Sequence, residues 1–182
     1  MSAHVEIAAG DGVEVIRLVR PDKRNALTQE MYRALTDALE AGETNPAIRV
    51  RVLFGSGGHF SGGNDIADFL ATAKGEQGTP REVLRVIEAL PLLRKPLIAG
   101  VDGQAIGIGT TLLMHCDLVY ATPRATFATP FLDLGLVPEA ASSLLMPAAM
   151  GYARAFELLV LGETFGAEPA REAGIVNAIV PS

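Results

Sequence analysis

The chain has no tryptophan, and aromatic residues make up only 5% of its 182 positions, so its core must be built from aliphatic side chains. Cysteine occurs once, as Cys116, which rules out an internal disulfide. A lone thiol in an apolar stretch reads as a buried, inert side chain in a reducing compartment. Basic residues are in deficit, 15 Lys and Arg against 21 Asp and Glu, for a net charge of −6. A nucleic-acid surface needs a basic patch, so that class of partner is excluded. Long apolar runs are missing too, each being broken by charge or glycine before about 18 residues. The opening Met1-Ser2-Ala3-His4-Val5-Glu6 lacks the basic and apolar regions of a signal peptide. A cytoplasmic protein with no membrane partner is expected. The three histidines, His4, His59 and His115, have no metal-ligand spacing, so no metal site is expected. What the chain does have is 49% hydrophobic residues, 19 glycines and 11 prolines. That is enough apolar mass for one domain over residues 1–182, and it favours an α/β or α+β enzyme whose partner is a small molecule or another subunit.

Read along the chain, Val5 to Val19 carries β-branched residues in two short runs around Ala9-Gly10-Asp11-Gly12, which predicts a β-hairpin. Met31, Ala34, Leu35, Ala38 and Leu39 recur at the spacing of an amphipathic helix, with Thr28 as its N-cap and Gly42 as its stop. Ile48 to Phe54 alternates apolar and basic residues with the period of a strand. A loop with five glycines follows, Gly55-Ser56-Gly57-Gly58-His59-Phe60-Ser61-Gly62-Gly63-Asn64-Asp65, and then the apolar start of another helix. Residues 74–80 read as a polar surface loop, Val83, Leu84, Ile87 and Leu90 as a helix ending by Lys95-Pro96, and Leu97 to Asp102 as a buried strand. A second glycine loop, Gly103-Gln104-Ala105-Ile106-Gly107-Ile108-Gly109, leads into an apolar helix from Thr110 to His115. Asp117 to Tyr120 and Ala125 to Ala128 read as short strands, and beyond Pro138 the chain reads as helical, with turns at Gly151, Gly162 and Gly174.

Neither glycine loop meets a nucleotide motif. The run from Gly107 to Leu112 lacks the third glycine of a dinucleotide fingerprint, and residues 58–64 lack the Lys and Ser/Thr of a phosphate loop. A nucleophile elbow needs a glycine two residues before its serine, where Ser56 has Phe54 and Ser61 has His59, which argues against a serine hydrolase. What is left is a pair of strand-to-helix turns whose glycines let the backbone approach a ligand while the helix that follows presents free N–H groups. Two such turns facing one point make an oxyanion hole; otherwise they are tight turns only.

Four blocks in one order weigh that choice: Arg20-Pro21-x-Lys23-x-Asn25-Ala26-Leu27, Phe60-Ser61-Gly62-Gly63-Asn64-Asp65-Ile66, Lys95 through Gly109, and Cys116-Asp117. They resemble the enoyl-CoA hydratase/isomerase (crotonase) superfamily, and the similarity continues through Ala125-Thr126-Phe127 and Leu134-Gly135-Leu136-Val137-Pro138-Glu139 to Gly174-Ile175-Val176-Asn177. The resemblance implies an α/β fold, a crotonase-like spiral of ββα units, here without the C-terminal helices into which relatives continue. It implies an acyl-CoA substrate, no separate cofactor because coenzyme A is part of the substrate, and a homotrimer or hexamer. Carried over by position, the backbone amides of Asn64 and Ile108 would polarise the thioester carbonyl. Lys23, Arg24 and Ala26, with Gly62, Gly63, Asp65 and Ile66, match stretches that line the CoA pocket. Lys23 and Arg24 also fit plain surface cations, and Asp65 fits a helix cap.

Hydratases of that family use two glutamates, and the matching positions here hold Thr111 and Phe131. Adding water needs a positioned water and an acid/base pair, and a threonine is no proton shuttle near neutral pH. Glu139, in Leu136-Val137-Pro138-Glu139-Ala140-Ala141-Ser142-Ser143, is similar to the catalytic glutamate of the monofunctional Δ3,Δ2-enoyl-CoA isomerases. The expectation is an isomerase that shifts a 3-enoyl-CoA double bond to 2-enoyl-CoA, with Glu139 as acid/base in an apolar surrounding that raises its pKa. The alternatives are a hydratase or thioester hydrolase using Glu139 with water, and a non-catalytic acyl-CoA-binding or scaffold protein. For Glu139 itself the alternative is a glutamate stabilised at a helix start.

Overall fold

The structure, a computed structural model, describes residues 2–74 and 81–181. It opens with a hairpin, β1 (Val5–Gly10) and β2 (Val13–Leu18), closed at Asp11-Gly12. Then follow α1 (Gln29–Thr44), β3 (Val50–Gly55), α2 (Ile66–Ala73), α3 (Arg81–Ala89) and β4 (Leu97–Val101). The second half runs through β5 (Gln104–Ile106), α4 (Ile108–Thr111), β6 (Leu118–Ala121), β7 (Thr126–Ala128), α5 (Ser142–Met150) and α6 (Tyr152–Leu159), to β8 (Phe165–Gly166), α7 (Ala167–Glu172) and β9 (Ala178–Ile179). Six strands form one sheet in the order β1-β2-β3-β4-β6-β9, parallel except for the hairpin, and β5-β7-β8 form a second, smaller sheet. Among the described residues no helix is long and apolar enough to cross a membrane.

Register places Ile16, Leu53, Ala99 and Val119 in one row across β2, β3, β4 and β6, and all four are buried. Met31, Leu35, Ala38 and Leu39 of α1 belong to the same aliphatic cluster. Each such large apolar side chain contributes roughly 2 kcal/mol on leaving water. Thr28 caps α1 by accepting from the Met31 N–H at 3.2 Å.

The helix runs on past Gly42 to Thr44. That glycine is a contact point: a Cβ there would lie 2.5 Å from Glu14 Oε2. The Lys95 ammonium donates to the carbonyls of Gly42 and Asn45, both at 2.6 Å, and so satisfies the helix end that a stop at Gly42 would have left open. Arg51, one of the basic residues alternating along β3, is fully buried on the side that faces α1. It tolerates that place because it donates to Glu43 and to the carbonyls of Leu39 (2.9 Å) and Lys95 (3.2 Å).

Two further differences concern short strands. Gln104–Ile106, read as loop, is strand β5, and the region beyond Pro138 contains β8 and β9 as well as helices. Two- and three-residue strands carry no readable period; pairing to β6 and β7 decides them. Of the surface loop expected at residues 74–80, all but Lys74 lies outside the described residues.

Candidate active site

The two glycine turns lie against each other. Ser61 bridges to Ala105, with Ile106 N–H donating to Ser61 O at 2.9 Å, and the amides of Phe60 and Ser61 both donate to Gln104 O at 3.0 Å. Gly63 has φ +84°, and a Cβ on it would stand 2.8 Å from Ile106 O, so only glycine allows the strips to close. Gly107, at φ 55° and ψ −121°, turns the second strip into α4. The amide N–H groups of Asn64 and Ile108 follow these two glycines directly, and neither meets an acceptor among the described residues. Unused donors beside one another are what an oxyanion site requires.

Glu139 arrives from the other side on a strained turn. Ala140 and Ala141 both take left-handed backbone conformations, φ 49° and 54°, at a cost of about 1 kcal/mol each for a residue with a Cβ. The turn is held by Ser142, whose N–H and hydroxyl both donate to Glu139 O (2.9 and 2.6 Å), and by His115 Nε2, which donates to Ala140 O at 2.8 Å. His115 is thus a brace for the turn. The Thr111 hydroxyl donates to Glu139 Oε1 at 2.5 Å, while Glu139 Oε2 is buried with no partner among the described residues. Burial raises the carboxyl above its ordinary 4.5, and the Thr111 hydrogen bond opposes that rise.

Tyr32 of α1 completes the group. Its hydroxyl donates to Asn64 Oδ1 at 2.5 Å. Burial, and after it the nearby Glu139 carboxylate, push that hydroxyl well above its usual range and keep it a neutral donor. An apolar cavity under α1 reaches the same place, lined by Tyr32, Leu35, Val86, Leu90, Ile108 and Leu112. Phe131 is buried in the aliphatic cluster.

The strip 23–26 packs on the strip 62–66: Gly62 N–H donates to Arg24 O (2.7 Å), Leu27 N–H to Gly63 O (2.7 Å) and Asp65 N–H to Leu27 O (2.9 Å). Buried Asn25 ties them together by donating to Ser56 O and His59 O and accepting from Arg20 N–H. Of the residues expected to line a nucleotide pocket, Lys23, Arg24 and Ile66 are exposed, Ala26 and Gly62 half-buried, and Gly63 and Asp65 buried. Asp65 is occupied otherwise. Its carboxylate caps α2 through Ala67 N–H (2.9 Å) and Asp68 N–H (3.3 Å) and pairs with Arg20 at 2.6 Å. Although burial opposes it, those bonds hold the Asp65 carboxyl below the usual range, which leaves only its backbone for a ligand.

Sequence reasoning passed over Tyr32, which stands next to Met31 on an amphipathic helix and shows no pattern of its own. It also had no signal for the partners of Thr111 and His115, which lie 28 and 25 positions away. No group of three or more His, Cys, Asp and Glu that could hold a metal ion occurs among the described residues.

A family model described as enoyl-CoA hydratase/isomerase matches residues 8–182. Over 99% of its length the chain is 38% identical to enoyl-CoA delta isomerase 2 of Rattus norvegicus, covering 47% of that protein. Over 97% of its length it is 33% identical to 4-chlorobenzoyl coenzyme A dehalogenase-2 of Arthrobacter sp, covering 66% of it. A crystal structure of enoyl-CoA hydratase/isomerase from Pseudoalteromonas atlantica T6c matches with a TM-score of 0.91 at 40% identity, over 98% of this chain and 70% of that one. The chain spans about half the length of the enoyl-CoA delta isomerases it matches.

Proposed function

The chain belongs to the enoyl-CoA hydratase/isomerase family and has its crotonase-like α/β fold, and from that premise we propose that it isomerises 3-enoyl-CoA to 2-enoyl-CoA with Glu139 as the one acid/base. The observation that carries this reading is the state of Glu139: half-buried, raised in pKa, Oε1 held by Thr111 and the buried Oε2 without a partner among the described residues. Glu139 Oε2 takes a proton from C2; the C–H electrons move into the thioester as a dienolate whose oxygen rests on the amides of Asn64 and Ile108. The same carboxyl returns the proton at C4, and the double bond comes to rest between C2 and C3. Two preorganised amides supply several kcal/mol toward such an anion. Isomerisation needs one group to move one proton, whereas hydration needs a held water and a second acid/base. Among the described residues no second carboxylate hydrogen-bonds to Glu139, Thr111 or Asn64. Coenzyme A is then part of the substrate, with Lys23 and Arg24 available to its phosphates. A homotrimer or hexamer and a cytoplasmic location belong to the same reading; the exposed Leu132, Leu134, Val137 and Leu144 on either side of Glu139 in the chain supply apolar surface for subunit contact.

The test compares 3-enoyl-CoA isomerisation with 2-enoyl-CoA hydration for the wild type and Glu139→Gln. Isomerisation is expected to dominate and to be lost in the variant. Undiminished isomerisation in Glu139→Gln, or hydration as the faster reaction, overturns the reading. Acyl-CoA binding with no exchange of α-protons into deuterated water would make the chain a binding protein.

A further inference from the structure

We propose that Thr111 is a positioning residue that assigns the two oxygens of Glu139, holding Oε1 so that Oε2 alone exchanges protons with a ligand. The inference rests on the reading of Glu139 as the acid/base and adds to it the group that aims the carboxylate.

Helix α4 is a single turn. Its first residue, Ile108, presents the unused amide, and its last, Thr111, presents the hydroxyl. Both are buried, and the Thr111 N–H is fixed to Gly107 O at 3.0 Å. One rigid turn therefore sets where an oxyanion would rest and where the carboxylate is held, so the spacing between the two does not depend on loop motion.

The use of the hydroxyl is informative because its neighbour behaves differently. Thr110, equally buried, donates to the nearby Ala105 O at 2.6 Å, with Ala128 O at 3.2 Å, and so serves main-chain carbonyls. A helical threonine ordinarily has such a local carbonyl within reach. Thr111 instead crosses to a carboxylate 28 positions away. A hydroxyl has one proton to give, and giving it to Oε1 engages that oxygen while Oε2 stays bare. Without Thr111 the carboxylate could rotate and its two oxygens would become equivalent.

The groups that face Glu139 from the packed elements are Tyr32 from α1, Thr111 from α4 and His115 from the turn Leu112–His115, the last engaged with Ala140 O. Tyr32 stays neutral, so the Thr111 hydroxyl is the donor that favours the ionised carboxylate there. Removing it leaves burial unopposed, and the pKa of Glu139 moves up.

The experiment uses Thr111→Val, which keeps shape and removes the hydroxyl, and Thr111→Ser, which keeps the hydroxyl. With glutamate 13C-labelled at the side-chain carboxyl and the Glu139 signal assigned by its loss in Glu139→Gln, the titration midpoint should rise in Thr111→Val and return in Thr111→Ser. Isomerisation should lose about tenfold in kcat with KM nearly unchanged, as expected for one charge-assisted hydrogen bond. The acidic limb of kcat/KM should move with the NMR midpoint. An unshifted Glu139 titration in Thr111→Val overturns the proposal whatever the reaction proves to be. Conversely, full isomerisation in Glu139→Gln removes the acid/base reading while the NMR titration still reports on Thr111. Should Thr111→Val fail to fold by circular dichroism, Thr111→Ala makes the same comparison without the second methyl group.

Discussion

Glu43 receives the Arg51 guanidinium and the N–H groups of Arg94 and Lys95, whereas Glu139 receives one hydroxyl on one oxygen. Both side chains leave water, and burial alone would raise both pKa values. At Glu43 the surrounding donors overcome burial and hold the carboxyl below its usual range; at Glu139 burial wins and the carboxyl rises. The difference is a nearby cation. A carboxylate whose oxygens are filled by Arg and amides is committed to the fold, while one with a bare oxygen and no cation is held above its ordinary range and is free to exchange a proton.

That contrast breaks most visibly in Glu139→Gln, which should lower isomerisation by about a thousandfold, the scale of a lost general acid/base; steady-state assays measure it. The same variant sharpens the comparison through stability. The folded pKa of Glu139 lies above its unfolded value, so the stability it contributes is full below the unfolded value and is lost as pH rises through the raised one. Glu43 has the opposite sign: its contribution is present above the unfolded pKa and is lost as pH falls through the depressed folded one. Urea unfolding across pH should therefore show Glu139→Gln gaining relative to wild type toward neutral pH, and Glu43→Gln losing. A common sign would dissolve the contrast.

Next in size is Arg51→Met, which takes from the Glu43 carboxylate its buried cation and leaves only the exposed Arg94, and should cost about 3 kcal/mol by urea titration, with the kcat of the folded fraction near wild type. Gly63→Ala comes third. Its new methyl meets Ile106 O at 2.8 Å with φ at +84°, for about 2 kcal/mol and a loss of activity as the two strips part. The smallest effect is Tyr32→Phe, about 1 kcal/mol from one hydrogen bond, which should appear mainly in kcat. A kcat at the wild-type level in that variant would detach Asn64 from Tyr32.

The hairpin, α1 and the two glycine turns are legible because each is written locally: β-branched runs about Asp11-Gly12, apolar residues at helical spacing behind Thr28, glycines between a strand and a helix. Gly42 misled for the same reason. A helix stop and a point of close approach look alike until Glu14 of β2 and Lys95, just ahead of β4, arrive beside it. Arg51 lies in a period-two pattern whose inner side is set by α1, and β8 and β9 are too short to have a period. At the site, Glu139 could be singled out from its motif, but the use of Thr111, His115 and Tyr32 depends on partners 25 or more residues away.

By itself the sequence determined the hairpin, the longer helices and strands, the aliphatic core, and the family to which the chain belongs. These rest on side-chain type and spacing, which act over a few residues. Only the tertiary structure decided which carboxylate is tied down and which is left with a bare oxygen. Burial, cation distance and the aim of one hydroxyl are properties of the packed surroundings, and they set the charge of a group that no local pattern reveals.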